Sequence, residues 1–206
     1  MCRQYIIDGM IMVSRRPTIF RTAANFHHEC GAYQLRTVVN AFGRDALPHE
    51  LYWSDWMRRH DWSLPWLMPV ILRRYGIRAH WYFWSANSFK KRVFRALGGD
   101  QPVLFVIRSI ILPGGGLHWI SAWGYDEATD EFLCYASKAP EAADTIGNTR
   151  YHADLLTSAL PWWGTYALTM RHSNESRSGP GTRRAFPVHY VPFLARNGAI
   201  LGVTRA

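Results

Sequence analysis

Cys30 and His118 are residue types that together perform nucleophilic catalysis. A cysteine attacks as its thiolate, and a nearby imidazole can take up and return the proton. Cys30 comes just before a strongly helical pattern, where unpaired backbone N–H groups and the positive end of the helix dipole favour a thiolate. His118 begins a strand pattern directly after a glycine-rich run, residues 113–116. These positions predict a thiolate–imidazolium pair.

Each of the two residues also has a structural interpretation. A lone cysteine is more often a small buried residue, and a partly buried histidine is more often a hydrogen-bonding group of the fold. A histidine at a strand edge that faces a helix N-terminus, however, has the geometry that proton transfer with a thiol requires. The combination of Cys30 with His118 therefore favours catalysis more than either residue does alone.

Helical patterns dominate the first half of the chain. After Cys30, apolar residues recur at i, i+3, i+4 and i+7 and predict a helix that Gly43 ends; they are Leu35, Val38, Val39 and Phe42. Further helices are predicted over about 48–60 and 63–75, and another is N-capped by Ser88 and ends at Gly98-Gly99. Residues 5–20 indicate a strand and a connecting loop, and 77–84 a strand.

Strand patterns dominate the second half. β-Branched and aromatic runs separated by turn signals predict strands over 102–111, 117–125, 131–137 and 165–171, with a long loop over 138–150 and a short helix over about 151–160. Helices followed by antiparallel strands are typical of the α+β class. We expect residues 1–172 to form one domain and residues 173–206 to be a linker and a C-terminal extension that docks on it.

Composition limits the possible settings of this domain. The chain has 24 Lys+Arg and 15 Asp+Glu residues, a net charge of +9, which attracts anionic partners. Three cysteines without a CxxC spacing indicate neither a disulfide framework nor a zinc site, and suggest a reducing compartment. We see no secretory signal and no apolar run long enough to span a membrane. The expected localisation is cytoplasmic, or export by a dedicated secretion system that needs no signal peptide.

An ordered set of short motifs over roughly 20–170 resembles the bacteriocin-processing, double-glycine leader peptidases and related papain-like cysteine peptidases. The motifs are Glu29-Cys30-Gly31-Ala32 with Leu35 and Val38-Val39, then Tyr75-Gly76, Gly98-Gly99, Gln101-Pro102-Val103, Gly124-Tyr125-Asp126, and Leu155-Leu156, Trp163-Gly164 and Ala167-Leu168. The resemblance implies a papain-like fold with an N-terminal helical lobe that carries Cys30 and a C-terminal antiparallel sheet lobe that carries His118. It also implies thiol hydrolysis through an acyl-enzyme.

The chain departs from this family at two positions. The family's oxyanion glutamine, six residues before the cysteine, is replaced by Ala24, so Asn25 or backbone N–H groups would have to serve. Loss of one oxyanion donor typically lowers the rate by about 100–1000-fold. The family's orienting Asp or Asn is also absent from the end of the next strand, where Ser137, or Asn148 or Asp144 from the following loop, could take its place.

The sequence leaves alternative activities open. A papain-like deamidase or acyltransferase would use the same pair, and the two missing family residues are compatible with a catalytically inactive binding module. We expect a protein or peptide substrate, with an acidic one suited to the net charge. A role as a bacterial effector or toxin is compatible with these expectations. We expect no cofactor, and no metal at His27-His28-Glu29, because adjacent residues do not easily converge on one ion.

A nucleic-acid partner is not expected from the sequence. The basic doublets are distributed over several elements, whereas a nucleic-acid footprint requires clustering on one face. These doublets and one triplet are Arg15-Arg16, Arg58-Arg59, Arg73-Arg74, Lys90-Lys91-Arg92 and Arg183-Arg184. The oligomeric state is open.

Overall fold

The computed structural model describes residues 5–7, 10–15, 17, 30–60, 63–108, 116–136 and 149–172. All of them belong to the first of the two units into which the chain divides, Met1–Ser176. The strands are β1 (Tyr5–Ile7), β2 (Met10–Met12), β3 (Ile77–Trp84), β4 (Val103–Arg108), β5 (Leu117–Asp126), β6 (Glu131–Ala136), β7 (Thr149–His152) and β8 (Thr165–His172). The helices are α1 (Cys30–Ala41), α2 (Asp55–Arg59), α3 (Met68–Arg74), α4 (Ala86–Gly98) and α5 (Ala153–Ser158), and a 3₁₀ helix spans Pro48–Leu51.

The eight strands form one sheet in which every pair is antiparallel. The strands are linked in the order β1-β2-β5-β4-β8-β3, where β4 and β2 pair with successive parts of the same edge of β5. β6 pairs with the opposite edge of β5, and β7 pairs with β6. A short turn at residues 127–130 joins the paired strands β5 and β6, which antiparallel pairing permits. The predicted α+β class is confirmed, while residues 173–206 and their predicted role as a linker and extension lie outside the described residues.

Helices cover both faces of the sheet. Gln34 of α1 is hydrogen-bonded to Ser121 of β5, so α1 lies on the face toward which Ser121 points. Phe89 of α4 packs its ring against Phe105 of β4 at a centroid distance of 4.9 Å. Phe105 is paired with Ile120, the neighbour of Ser121, and successive strand residues point to opposite faces. The two helices therefore occupy different faces, which we call the α1 face and the α4 face.

The central position of α1 follows from its composition. Its buried residues extend around most of its circumference, because the helix contacts β5, α3 and the 3₁₀ helix. They are Gly31, Ala32, Gln34, Leu35, Thr37, Val38 and Val39. A helix that is apolar on most of its surface is stable only where other elements cover it. None of the described helices is long and apolar enough to span a bilayer.

Three helix predictions were wrong in their bounds. The helix predicted over 63–75 begins only at Met68 and ends at Arg74, since residues 65–67 form a turn. The helix predicted over 48–60 is divided, because Tyr52 is extended and the hydroxyl of Ser54 accepts a hydrogen bond from the Met57 N–H (3.2 Å), which starts a new helix. The helix predicted over 151–160 begins at Ala153, since Tyr151 belongs to strand β7 and pairs with Phe132.

Candidate functional site

Cys30 is the first residue of α1 and is partly exposed. Its thiol is not part of a disulfide. The first turn of the helix contains no acidic residue that would oppose a negative charge there. The N-terminal end of a twelve-residue helix favours an anion through its exposed N–H groups and its dipole. Both the position and the partial exposure of Cys30 thus suit a reactive thiolate.

The start of α1 lies in the half of the sheet where β5 begins. α3 packs along β3 and enters it through a short turn at Tyr75-Gly76, so the two elements run in opposite directions. α3 rises only about 10 Å over its seven residues, so its start lies level with the middle of β3, and the residues before it continue toward Trp84. A Cβ atom on Gly31 would overlap the side chain of Ser63 and lie 3.2 Å from Met68 Cε, so the first turn of α1 is beside the start of α3.

His118 lies in the same half of the sheet. Trp84 pairs with Thr165 of β8, whose hydroxyl group donates to the backbone oxygen of Val106 in β4 (2.6 Å). Ile107, the next residue of β4, pairs with His118. One row across four strands thus joins the end of β3 to His118, and the start of α1 and His118 lie in the same half of the sheet.

The side chain of His118 is buried, with 4% of its surface exposed. Strand alternation places it with Ile120 on the α4 face, whereas Ser121 points to the α1 face. Among the described residues the last β5–β6 pair is Ile120 with Ala136, and His118 lies two residues before Ile120 on β5. Because Cys30 belongs to the helix on the opposite face, the His118 imidazole has to pass around the start of β5 to contact its thiol.

A buried chain of hydrogen bonds fixes α1 on the sheet. The Gln34 amide donates to the backbone oxygen of Tyr135 (2.9 Å) and accepts from the Ser121 hydroxyl (2.6 Å), which in turn accepts from Trp123 Nε1 (2.8 Å). Gln34, Ser121 and Trp123 are all fully buried. Sequence reasoning missed this role of Gln34; its only signal was a glutamine among apolar residues on the inner side of a predicted helix.

The chain therefore sets the spacing of the predicted pair. Gln34 follows Cys30 by four residues, about 6 Å along a helix axis. Ser121 follows His118 by three residues, about 10 Å along a strand. The bond between Gln34 and Ser121 thus fixes how far Cys30 along α1 and His118 along β5 lie from one shared contact.

The other predicted site residues lie outside the described residues. These are Asn25 for the oxyanion position, Ser137, Asn148 and Asp144 for the orienting position, and the His27-His28-Glu29 run. Their predicted roles stay predictions.

A scan against protein-family models and a search of curated proteins both find no match to this chain. The papain-like resemblance rests on the ordered short motifs of the sequence.

Cys134 provides a contrast to Cys30 within the same chain. It lies in β6, fully buried, and burial raises the pKa of its thiol well above the ordinary range. Desolvation penalises the thiolate, so Cys134 is neutral and unreactive at ordinary pH. The described chain thus contains one thiol at a partly exposed helix start and one in the core.

Asp130, His152 and Asp154 place a carboxylate, an imidazole and a second carboxylate within 4.8 Å of one another. The Asp130 carboxylate already accepts hydrogen bonds from Lys90 (2.7 Å) and from the Tyr125 hydroxyl. These two bonds lower the pKa of Asp130 and keep it ionised. We assign Asp130 to anchoring α4 on the β5–β6 turn, since a cation there would compete with the Lys90 ammonium group.

Proposed function

We propose that the protein is a papain-like cysteine peptidase or a related amide hydrolase. The observation that carries the proposal is the location of Cys30 and His118 in the same half of the sheet, with α1 held on β5 by Gln34 and Ser121. The helix start supplies the electrostatic environment that a thiolate requires, and the strand start supplies the imidazole.

In the proposed reaction the Cys30 sulfur attacks the carbonyl carbon of a peptide or side-chain amide. The C–S bond forms, and the carbonyl π electrons move to oxygen, where backbone N–H groups near the helix start can stabilise them. The His118 imidazolium then protonates the departing nitrogen, the C–N bond breaks, and a thioester remains. Neutral His118 next accepts a proton from water, whose oxygen displaces the sulfur and releases the acid.

The second candidate is a papain-like module that binds without catalysis. It is favoured by the burial of His118 and by the alternation of β5, which directs this side chain to the α4 face. A deamidase or acyltransferase would use the same pair and differs from a peptidase in the acyl donor or acceptor. New α-amino groups indicate a peptidase and released ammonia a deamidase.

The deciding experiment is the pH dependence of Cys30 alkylation by iodoacetamide, followed by mass spectrometry of the full chain. An ordinary thiol with a pKa of about 8.5 loses reactivity about 75-fold between about pH 8 and about pH 6. We expect a much smaller loss for Cys30, because an imidazolium partner keeps it ionised. We expect Cys134 to be unlabelled throughout, which makes it the internal control.

The His118→Gln variant tests the partner directly. We expect the pH profile of Cys30 alkylation in this variant to move toward that of an ordinary thiol, and an epoxide directed at papain-like enzymes to label Cys30 in the wild type only. Circular dichroism and thermal melting show whether the variant is folded. If wild-type Cys30 has the profile of an ordinary thiol, the hydrolase proposal fails whatever the variant does, and the binding-module candidate replaces it.

A further inference from the structure

Basic residues that are scattered along the sequence converge in part on one surface. β3, α4 and β8 together contain six lysine and arginine residues and no aspartate or glutamate; the six are Arg78, Lys90, Lys91, Arg92, Arg95 and Arg171. Lys90 is occupied by its ion pair with Asp130. Charge of one sign without interspersed acidic residues is typical of a surface that attracts an anionic partner.

Arg78 and Arg171 form the centre of this surface. They are directly paired across β3 and β8, so their side chains leave the same face of the sheet. Like charges in this arrangement repel each other and destabilise the strand pair. Within the described part of the chain no carboxylate lies within ion-pair distance of either residue, and Nε of Arg171 is buried without a hydrogen-bond partner. An anionic ligand would relieve this repulsion.

Arg92 and Arg95 of α4 extend the surface along β3. The Arg92 guanidinium lies over the Trp84 ring at 6.0 Å from its centroid. Trp84 shares a face with Arg78, because the two residues are six positions apart on β3. Arg95 follows Arg92 by three residues and is therefore its neighbour on the same side of the helix. We call Arg78, Arg92, Arg95 and Arg171 the basic face.

The same surface borders an open sheet edge. β3 pairs with β8 on one side, and among the described residues no strand pairs with its other side. Tyr82 (42% exposed) stands on the basic side of β3, and Phe83 (52% exposed) stands on the opposite side. An open edge offers a row of N–H and C=O groups that another extended backbone can pair with.

We propose that the outer edge of β3 binds an extended acidic segment of a partner protein as an additional antiparallel strand. Alternate carboxylates of this segment would face Arg78 and the rest of the basic face, and its apolar side chains would cover Phe83 on the other side. A peptide fits better than a nucleic acid, because the exposed aromatic residues stand on both sides of the strand and the edge itself offers backbone hydrogen bonds. The proposal does not depend on catalysis at Cys30.

The test uses the full chain with Cys30→Ala, so that no probe is cleaved. The probe is a fluorescein-labelled eight-residue peptide of alternating Glu and Val, and binding is followed by fluorescence anisotropy at several salt concentrations. We expect affinity to fall with added salt. We expect about a threefold to fivefold loss of affinity for Arg78→Gln and about a tenfold loss for Arg78→Gln with Arg171→Gln, given the usual strength of exposed ion pairs.

The matched control is Arg73→Gln, which removes the same charge from α3 and should change the affinity less than about twofold, within the effect of net charge alone. Arg78→Gln should unfold at the same or a higher urea concentration than the parent, because it removes a like-charge pair. This stability measurement separates a loss of binding from a loss of folding. Equal losses for Arg73→Gln and Arg78→Gln would overturn the proposal.

Three further measurements distinguish strand addition by an acidic peptide from the binding of another kind of partner. The same peptide methylated on alternate amide nitrogens should bind about tenfold more weakly, since it cannot complete the strand pairing; unchanged binding overturns strand addition. An eight-nucleotide single strand that binds more tightly than the peptide would replace the peptide with a nucleic acid. A dimer that Arg78→Gln dissociates in light scattering would replace it with a second copy of this chain.

Discussion

The side chains of Gln34 and Ser121 are joined by a buried hydrogen bond of 2.6 Å between the central helix and the central strand of the sheet. Gln34 also donates to the backbone oxygen of Tyr135, so one amide contacts two neighbouring strands. A polar group that is buried at a helix–sheet interface is stabilising only when its hydrogen bonds are complete. This amide therefore fixes the position of α1, and with it the position of Cys30.

The Gln34→Met variant should lose both stability and Cys30 reactivity. Methionine has a similar volume, but it leaves the Ser121 hydroxyl and the Tyr135 oxygen without their bonds. We expect a loss of about 1–3 kcal/mol in the free energy of unfolding for each group that stays unsatisfied. Urea denaturation measures this loss, and iodoacetamide labelling of the native variant measures the effect on Cys30.

A double-mutant cycle with Ser121→Ala identifies the contribution of the bond itself. Removal of both partners should cost less than the sum of the two single substitutions, because residues in one hydrogen-bond network are coupled. Additive effects would contradict an anchoring bond between Gln34 and Ser121. Thr37→Val is a suitable control, since the Thr37 hydroxyl bonds only within α1, to the Tyr33 oxygen.

Gly31→Ala should destabilise the protein although alanine is the better helix former. In an unobstructed helix the substitution stabilises by up to about 1 kcal/mol. Here the added Cβ would overlap the side chain of Ser63 and approach Met68 Cε at 3.2 Å. We expect a net loss of about 1–3 kcal/mol, typical of overpacking, in urea denaturation.

Rescue by a second substitution tests this explanation. The Ser63→Gly change removes the atoms that the new methyl group would meet, so Gly31→Ala with Ser63→Gly should be more stable than Gly31→Ala alone. If the second change adds to the loss, the close contact between α1 and the segment before α3 is wrong, and so is the placement of the start of α1.

Regular periodicity predicted the elements that position Cys30 and His118. The i, i+3, i+4, i+7 spacing after Cys30 corresponds to α1, and the run of 77–84 corresponds to β3 with the same limits. The helix predicted from Ser88 begins earlier, at Ala86 after Ser85, because both serines can start a helix and the pattern of Phe89, Val93 and Leu97 fits either start.

Local patterns could not predict features that depend on distant residues. β7 was hidden in a predicted loop and helix, because its four residues are stable as a strand only through pairing with β6 and the contacts of Arg150 with Asp126 (3.2 Å) and Glu131 (3.5 Å). The bond between Gln34 and Ser121 joins residues 87 positions apart. Strand alternation puts His118 and Ser121 on opposite faces, but which of these faces carries α1 became visible only with the bond between Gln34 and Ser121.

Stability should fall in alkaline solution because of Cys134. Burial raises the pKa of this thiol in the folded state, whereas in the unfolded state it titrates at about 8.5. The folded form therefore has its full stability below about pH 8.5, and loses stability as the pH rises because the unfolded thiol ionises and the folded one does not. The expected loss is about 2 kcal/mol by pH 10.

Urea denaturation from pH 7 to pH 10 measures this loss. The Cys134→Ala variant should be less stable at pH 7 because of the cavity, but its stability should change less with pH in that interval. Cys30→Ala is the control and should retain the alkaline slope. Burial is also the main cause that raises the pKa values of Tyr125 and Tyr151. These two hydroxyl groups change the stability only nearer to pH 10, and they do so in both variants. An unchanged slope in Cys134→Ala would show that this thiol is accessible to solvent, and would remove the contrast with Cys30.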